Sequence, residues 1–163
     1  VIEAGADLGA FTLPLARAVG VDGLVIACEP RRDEFRLLCA NLALNGMEQV
    51  HAERLALDAA VPMPAAAPES AWLRARAANR ESVDALSPPR CDLLRIGAGA
   101  DALAVLDGAR ATLDRCKPFI HVEACADARE IGAWLCQAAY AWQERTRADA
   151  FTDVLGYPGD LGS

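Results

Sequence analysis

Apolar residues follow two rhythms along this chain, one of short unbroken runs and one of helical spacing. Val1 to Ala4 is a run of the first kind that ends at a glycine-bearing turn, and Phe11, Leu15, Ala18 and Val19 then recur at helical spacing up to Gly20. Pro14 sets a limit on that helix. Proline is harmless only in a first helical turn, so the helix starts no earlier than about Phe11 and the loop before it is roomy. Leu24 to Cys28 predicts a second buried strand ending at Glu29-Pro30. Phe35, Leu38, Cys39 and Leu42 then mark an amphipathic helix closed by Asn45-Gly46, and Val50 to Leu57 predicts a third strand.

Residues 59–90 are expected to form a variable connection. From Ala59 to about Arg80 they are rich in alanine, proline and arginine without a clean period, with one short helix expected near Trp72. Cys91 to Ile96 predicts a fourth strand that opens into the small-residue turn Gly97-Ala98-Gly99-Ala100. One helix with Leu103, Leu106, Ala109 and Leu113 on a single face should follow. Phe119 to Glu123 predicts a fifth strand. Asp127 with Glu130 resembles a capping box for a helix bearing Ile131, Trp134, Leu135 and Ala138, and Tyr140 to Thr146 and Val154 to Tyr157 are expected as two last strands.

Strands alternating with helices imply βαβ units: an α/β fold with a parallel sheet covered on both faces by right-handed crossovers. Ligands in such folds bind beyond the carboxyl ends of the strands, where strand order reverses, so the turns after strands one, two, four and five are the place to look for chemistry.

At 163 residues the chain suits a single domain over 1–163, able to bury roughly 70 % of its unfolded surface. The first residue already lies in a strand-like run, so the sequence is expected to lack an N-terminal segment and to belong to a longer parent chain, whose other domains are possible partners. No apolar run approaches the ~20 residues of a membrane span. The net charge of −7 repels phosphate backbones and argues against nucleic acid, while Arg31-Arg32 and Arg74 to Arg80 read as solvated helix faces or loops. Six scattered cysteines, with no C-x-x-C pair and only His51 and His121 beside them, support neither a metal site nor a disulfide framework. They read as reduced, buried thiols of a cytoplasmic protein.

After the first strand the chain reads Glu3-Ala4-Gly5-Ala6-Asp7-Leu8-Gly9, an acidic-x-Gly-x-x-x-Gly pattern rather than the G-x-G-x-x-G of dinucleotide folds. Glycines let backbone approach a ligand, and free N–H groups at the next helix favour an anionic group; equally, the glycines serve a tight turn with no ligand at all. Glu29 stands about twenty residues beyond Gly9, at the end of a strand, where a carboxylate can accept from both hydroxyls of a ribose. The two features together point to a nucleoside.

These residues carry a resemblance. Val1 to Thr12, then Cys28-Glu29-Pro30, then Asn41 to Gly46 are similar to successive blocks of the FkbM-type S-adenosylmethionine-dependent methyltransferases. Val83 to Leu86, Cys91 to Ile96, Leu103 to Ala109 and Pro118 to Glu123 continue it in order, with fainter matches at Trp134 to Tyr140 and Val154 to Pro158. The resemblance implies a Rossmann-like three-layer αβα sandwich with a mostly parallel seven-stranded sheet and an antiparallel last strand. It also implies methyl transfer from S-adenosylmethionine to a small-molecule or sugar hydroxyl, with S-adenosylhomocysteine as product. Carried over position by position, Glu3, Gly5, Ala6, Asp7 and Gly9 would hold the methionine part, Glu29 with Pro30 the ribose, and Asp58 the adenine edge.

The chain departs from the family at two places. Asp7 stands where the family prefers asparagine, and Arg95-Ile96-Gly97-Ala98-Gly99-Ala100-Asp101-Ala102 stands where it typically reads Lys-Ile-Asp-Val-Glu-Gly-Ala-Glu. The family's three carboxylates there are absent. Asp101 and Glu123 are the remaining catalytic candidates, and each has a structural alternative, a helix cap and an ordinary strand-end acid. His121 reads as a satisfied core or cleft residue. Two readings lead, an active O-methyltransferase and a degenerate methyltransferase-like domain acting as a scaffold or weak cofactor binder; a third, a nicotinamide-dependent Rossmann enzyme, is disfavoured by a glycine spacing that does not suit a pyrophosphate.

Overall fold

A computed structural model of the chain describes residues 1–59, 79–123, 125, 127–146 and 151–159. It shows β1 (Ile2–Ala4), α1 (Thr12–Val19), β2 (Val25–Cys28), α2 (Arg32–Leu44), β3 (Val50–Glu53), β4 (Ala56–Leu57) and β5 (Arg80–Glu81) in the first half. The second half holds β6 (Leu93–Ile96), α3 (Ala102–Asp107), α4 (Arg110–Cys116), β7 (Phe119–Val122), α5 (Ala128–Gln137), β8 (Tyr140–Thr146) and β9 (Thr152–Pro158).

Seven strands form one sheet in the order β3-β2-β1-β6-β7-β9-β8, with β9 running antiparallel to both of its neighbours and the other adjacent pairs parallel. This is the Rossmann-like sandwich expected from the resemblance. Its layers follow from alternation: Ile2, Ala4, Leu94, Ile96, Ile120 and Val122 pack with Val105, Leu106, Leu113, Ile131 and Leu135 in one core. On the opposite face Val25 and Ala27 meet Ala16, Leu38 and Leu42 of α1 and α2. The chain leaves β1 toward β2 and β3, then returns through β6 on the other side of β1, so strand order reverses at the carboxyl ends of β1 and β6.

Several expected elements differ in detail. The third strand does not run unbroken from Val50 to Leu57: the Leu55 N–H donates back to the Glu53 carbonyl at 3.0 Å, a tight turn that ends β3. Beyond it, β4 joins β5 in a separate parallel pair, Ala56 opposite Arg80 and Leu57 opposite Glu81. The single helix expected through Leu103 and Leu113 is two, because the Asp84 carboxylate accepts from the Ala111 and Thr112 N–H groups at 2.9 and 2.7 Å and starts a new helix there. In α1 the buried residues are Thr12 and Ala16, while Phe11 and Ala18 of the expected stripe are exposed. Asp127 stands at the N-cap of α5 without a side-chain capping bond, so the capping box is not formed. The cysteines are unpaired but not all buried, Cys39 and Cys136 lying on exposed helix faces. The helix expected near Trp72 lies outside the described residues.

Candidate functional site

The loop after β1 is shaped by its own hydrogen bonds. Gly5 and Ala6 N–H both donate to the Cys28 carbonyl at 2.9 and 3.0 Å, Gly9 N–H donates to the Ala6 carbonyl at 2.9 Å, and Asp7 turns through a left-handed φ of 52°. Aspartate and asparagine tolerate that conformation better than most side chains. Gly9 has φ +90°, and a Cβ there would lie 2.9 Å from the Leu38 side chain, so the bend closes onto α2 only with glycine. The amides of Gly5, Ala6 and Gly9 are thus spent within the chain, and at the start of the next helix the Leu13 and Leu15 N–H groups donate to the Gly9 and Phe11 carbonyls.

Gly5, Asp7, Glu29, Pro30, Asp58 and Asp101 line one cavity of about 390 Å³ at the strand-order reversal, together with Arg31, Arg80 and the β6–α3 turn. The bend and the strand-two carboxylate therefore face the same crevice. Glu29 is buried at 1 % exposure. Its Oε2 accepts from the Asp7 N–H at 2.9 Å, and its Oε1 accepts from the Arg31 N–H at 2.9 Å and Arg31 Nε at 3.1 Å. Asp58 arrives through the β4–β5 pair; its carboxylate accepts from Arg80 at 2.5 Å and from the Ala59 N–H at 2.8 Å. Asp101 reaches the cavity wall but also caps α3, accepting from the Ala104 N–H at 3.1 Å.

Glu3, Ala6 and Gly9 are not among the lining residues. Glu3 is fully buried, accepting from Thr12 Oγ1 at 2.6 Å and from Arg95 Nη1 at 2.9 Å. Burial pushes its carboxyl above the ordinary value, a rise that Thr12 and Arg95 work against. The Arg95 guanidinium also pairs with Glu123 through Nη2 and lies 3.8 Å from the centre of the Phe11 ring. One buried cation thus joins the middle of β1 to the end of β7 under an aromatic cover, leaving Glu123 with a side-chain exposure of 15 %. His121 Nε2 sits 3.3 Å from Asp153 Oδ2, as suits a satisfied cleft residue.

Position 97 is sterically closed: a Cβ there would meet the Gly5 carbonyl oxygen at 2.5 Å and Arg95 Nη1 at 3.2 Å. Position 99 has nothing within 4 Å. Three arginines escaped the sequence reading. Arg31 and Arg80 stand in short charge runs of the kind solvent normally covers, and Arg95 lies inside an apolar strand, where a lone charge is itself a signal that a partner is buried opposite.

No family model matches the chain, and no curated protein does. Solved structures do. Methyltransferase FkbM from Methylobacillus flagellatus KT superposes with a TM-score of 0.71 at 17 % identity, over 96 % of this chain and 42 % of that one. A SAM-dependent O-methyltransferase from Thermotoga maritima gives 0.63 at 17 % identity, over 96 % of this chain and 58 % of that one. An rRNA methylase from Streptococcus thermophilus gives 0.57 at 12 % identity, over 96 % and 84 %. This chain thus spans less than half of the Methylobacillus protein, and the three proteins differ in what their names say they methylate. What they share with this chain is architecture, and that architecture is the Rossmann-like fold of class I S-adenosylmethionine-dependent methyltransferases.

Proposed function

We propose that the chain binds S-adenosylmethionine in the cleft beyond β1, β2 and β6 and serves methyl transfer to a hydroxyl oxygen of a small molecule or sugar, as an FkbM-type enzyme. One observation carries the reading: the Gly5–Asp7 bend, Glu29 and Asp58 converge on a single cavity of about 390 Å³. That volume lies in the range of small-molecule sites, roughly 300–1,000 Å³. The lining suits a cationic ligand, with the four carboxylates of Asp7, Glu29, Asp58 and Asp101 against the two guanidiniums of Arg31 and Arg80.

In this reading Glu29 accepts from the ribose hydroxyls, Asp58 from the adenine amino group, and the bend at Gly5 to Asp7 takes the methionine end. The bound cofactor supplies a methyl group already activated by a positively charged sulfur. What remains for the protein is alignment, which can contribute roughly 7–11 kcal/mol, whereas general-base help is worth about 10²–10⁴-fold. Glu123, at the end of β7 and paired with Arg95, is the residue that in this reading would receive or orient the proton of an acceptor hydroxyl. The net charge of −7 favours a small or glycan acceptor over a nucleic acid.

The second reading, a scaffold without catalysis, is favoured by position 97, where the family's acid is replaced by a glycine with no room for a side chain. Calorimetric titration with S-adenosylhomocysteine separates the two. Micromolar binding that Glu29→Ala abolishes supports the cofactor site; absence of heat at millimolar ligand supports the scaffold. Transfer of labelled methyl to sugar alcohols but not to RNA would then identify the acceptor class.

A further inference from the structure

The carboxylate that should receive a ribose is already occupied. A carboxylate offers about four lone-pair positions, and three at Glu29 are filled by the Asp7 N–H, the Arg31 N–H and Arg31 Nε. The same guanidinium crosses the mouth of the bend, with Arg31 Nη2 3.1 Å from Asp7 Oδ1. Its third contact points elsewhere: Arg31 Nη1 lies 3.2 Å from Glu34 Oε1, one turn along α2, and Glu34 does not line the cavity.

Resting on the cofactor reading above, we propose that Arg31 is an affinity-setting latch of the nucleoside cleft. In the free protein it fills Glu29 and ties down Asp7, and a nucleoside enters only when the guanidinium lets go of both and keeps its existing contact with Glu34. Three features make the movement inexpensive. The Arg31 side chain is 56 % exposed, so the Asp7 pair gains little from its Coulomb attraction. Its backbone N–H stays on Glu29 when the side chain leaves. Glu34, at 29 % side-chain exposure, already holds the guanidinium and keeps it paired when the other two contacts break.

The release also frees the Asp7 carboxylate for the amino group of an amino-acid-bearing nucleoside, a cation exchanged for a cation. That gives Asp7 a purpose that asparagine would not serve, since an amide holds the guanidinium more weakly.

The test is calorimetry with S-adenosylhomocysteine, a ligand without net charge, on the wild type, Arg31→Ala and Glu34→Gln, with thermal melts to show that all three fold. Arg31→Ala should bind about tenfold more tightly, the worth of one charge-assisted hydrogen bond no longer displaced. Glu34→Gln should bind about threefold more weakly, because the released guanidinium depends on Glu34 while the closed one is still held by Glu29 and Asp7. Raising the salt from about 0.05 to about 0.5 M should tighten the wild type and leave Arg31→Ala unchanged, because the exposed Arg31–Asp7 pair is what salt screens. Equal affinity in wild type and Arg31→Ala overturns the latch and leaves the nucleoside reading standing, and so does weaker binding by Arg31→Ala, which would make Arg31 a ligand contact. No heat in any of the three variants removes both.

Discussion

At position 97 the neighbouring backbone of β1 leaves no space for a side chain, while position 99, two residues on, faces open volume. Gly97 and Gly99 are therefore not equivalent. Gly97→Asp forces carbonyl and guanidinium apart, and overpacking of this kind typically costs about 1–3 kcal/mol. Gly99→Glu should leave stability within about 0.5 kcal/mol of wild type. Paired denaturant melts check this, and equal losses for both variants would contradict the steric account. The buried thiols make a second residue-scale prediction. Burial pushes Cys28 up to about 12 and Cys91 to about 11, both from 9.0. The unfolded thiols ionise first as pH rises, so the stability these groups contribute is complete below about pH 9 and is lost between there and their folded values. Urea midpoints should fall between about pH 8 and about pH 10.5, and less steeply in Cys28→Ala. In native protein near neutral pH, Cys39 and Cys136 should alkylate well before Cys28 and Cys91, following their exposure.

Among the elements, Asp84 does work at a distance by giving α4 its N-terminal acceptor. Asp84→Ala should cost about 1–2 kcal/mol in a chemical melt, and a loss under about 0.3 kcal/mol would show that the helix starts without it. The same residue explains a limit of the sequence. Leu103, Leu106, Ala109 and Leu113 do share a buried or half-buried face, so the apolar stripe was legible, but the break between α3 and α4 comes from a carboxylate some 27 residues upstream, which no local pattern reveals. Likewise the run from Val50 to Leu57 hid the turn at Arg54, where the apolar positions pass from Val50 and Ala52 to Leu55 and Leu57 with a change of phase and the two halves join different sheets. Where an element is decided by its own run of residues, as in β1, β2 and β8, the sequence reading lies within a residue or two of the structure.

For the molecule as a whole, topology explains why the candidate site was readable at all. A glycine bend and an acidic strand end converge because β1 and β2 are adjacent and parallel, with Glu3 opposite Ala27 and Ala4 opposite Cys28. Glu3 stays out of the cavity lining for the same kind of reason. It lies one residue back along β1, and alternation turns its side chain onto the sheet face where Arg95 and His121 stand in register. The arginines at the cleft answer to tertiary partners and leave no motif. All of this rests on one claim, that a nucleoside occupies the crevice between the bend and Glu29. Amide spectra of labelled protein recorded during titration with S-adenosylhomocysteine test it most directly. The account predicts saturable shifts concentrated at Gly5, Asp7, Arg31, Asp58 and Gly99, whereas an unchanged spectrum, or shifts confined to the α5 and β8 edge, would contradict it.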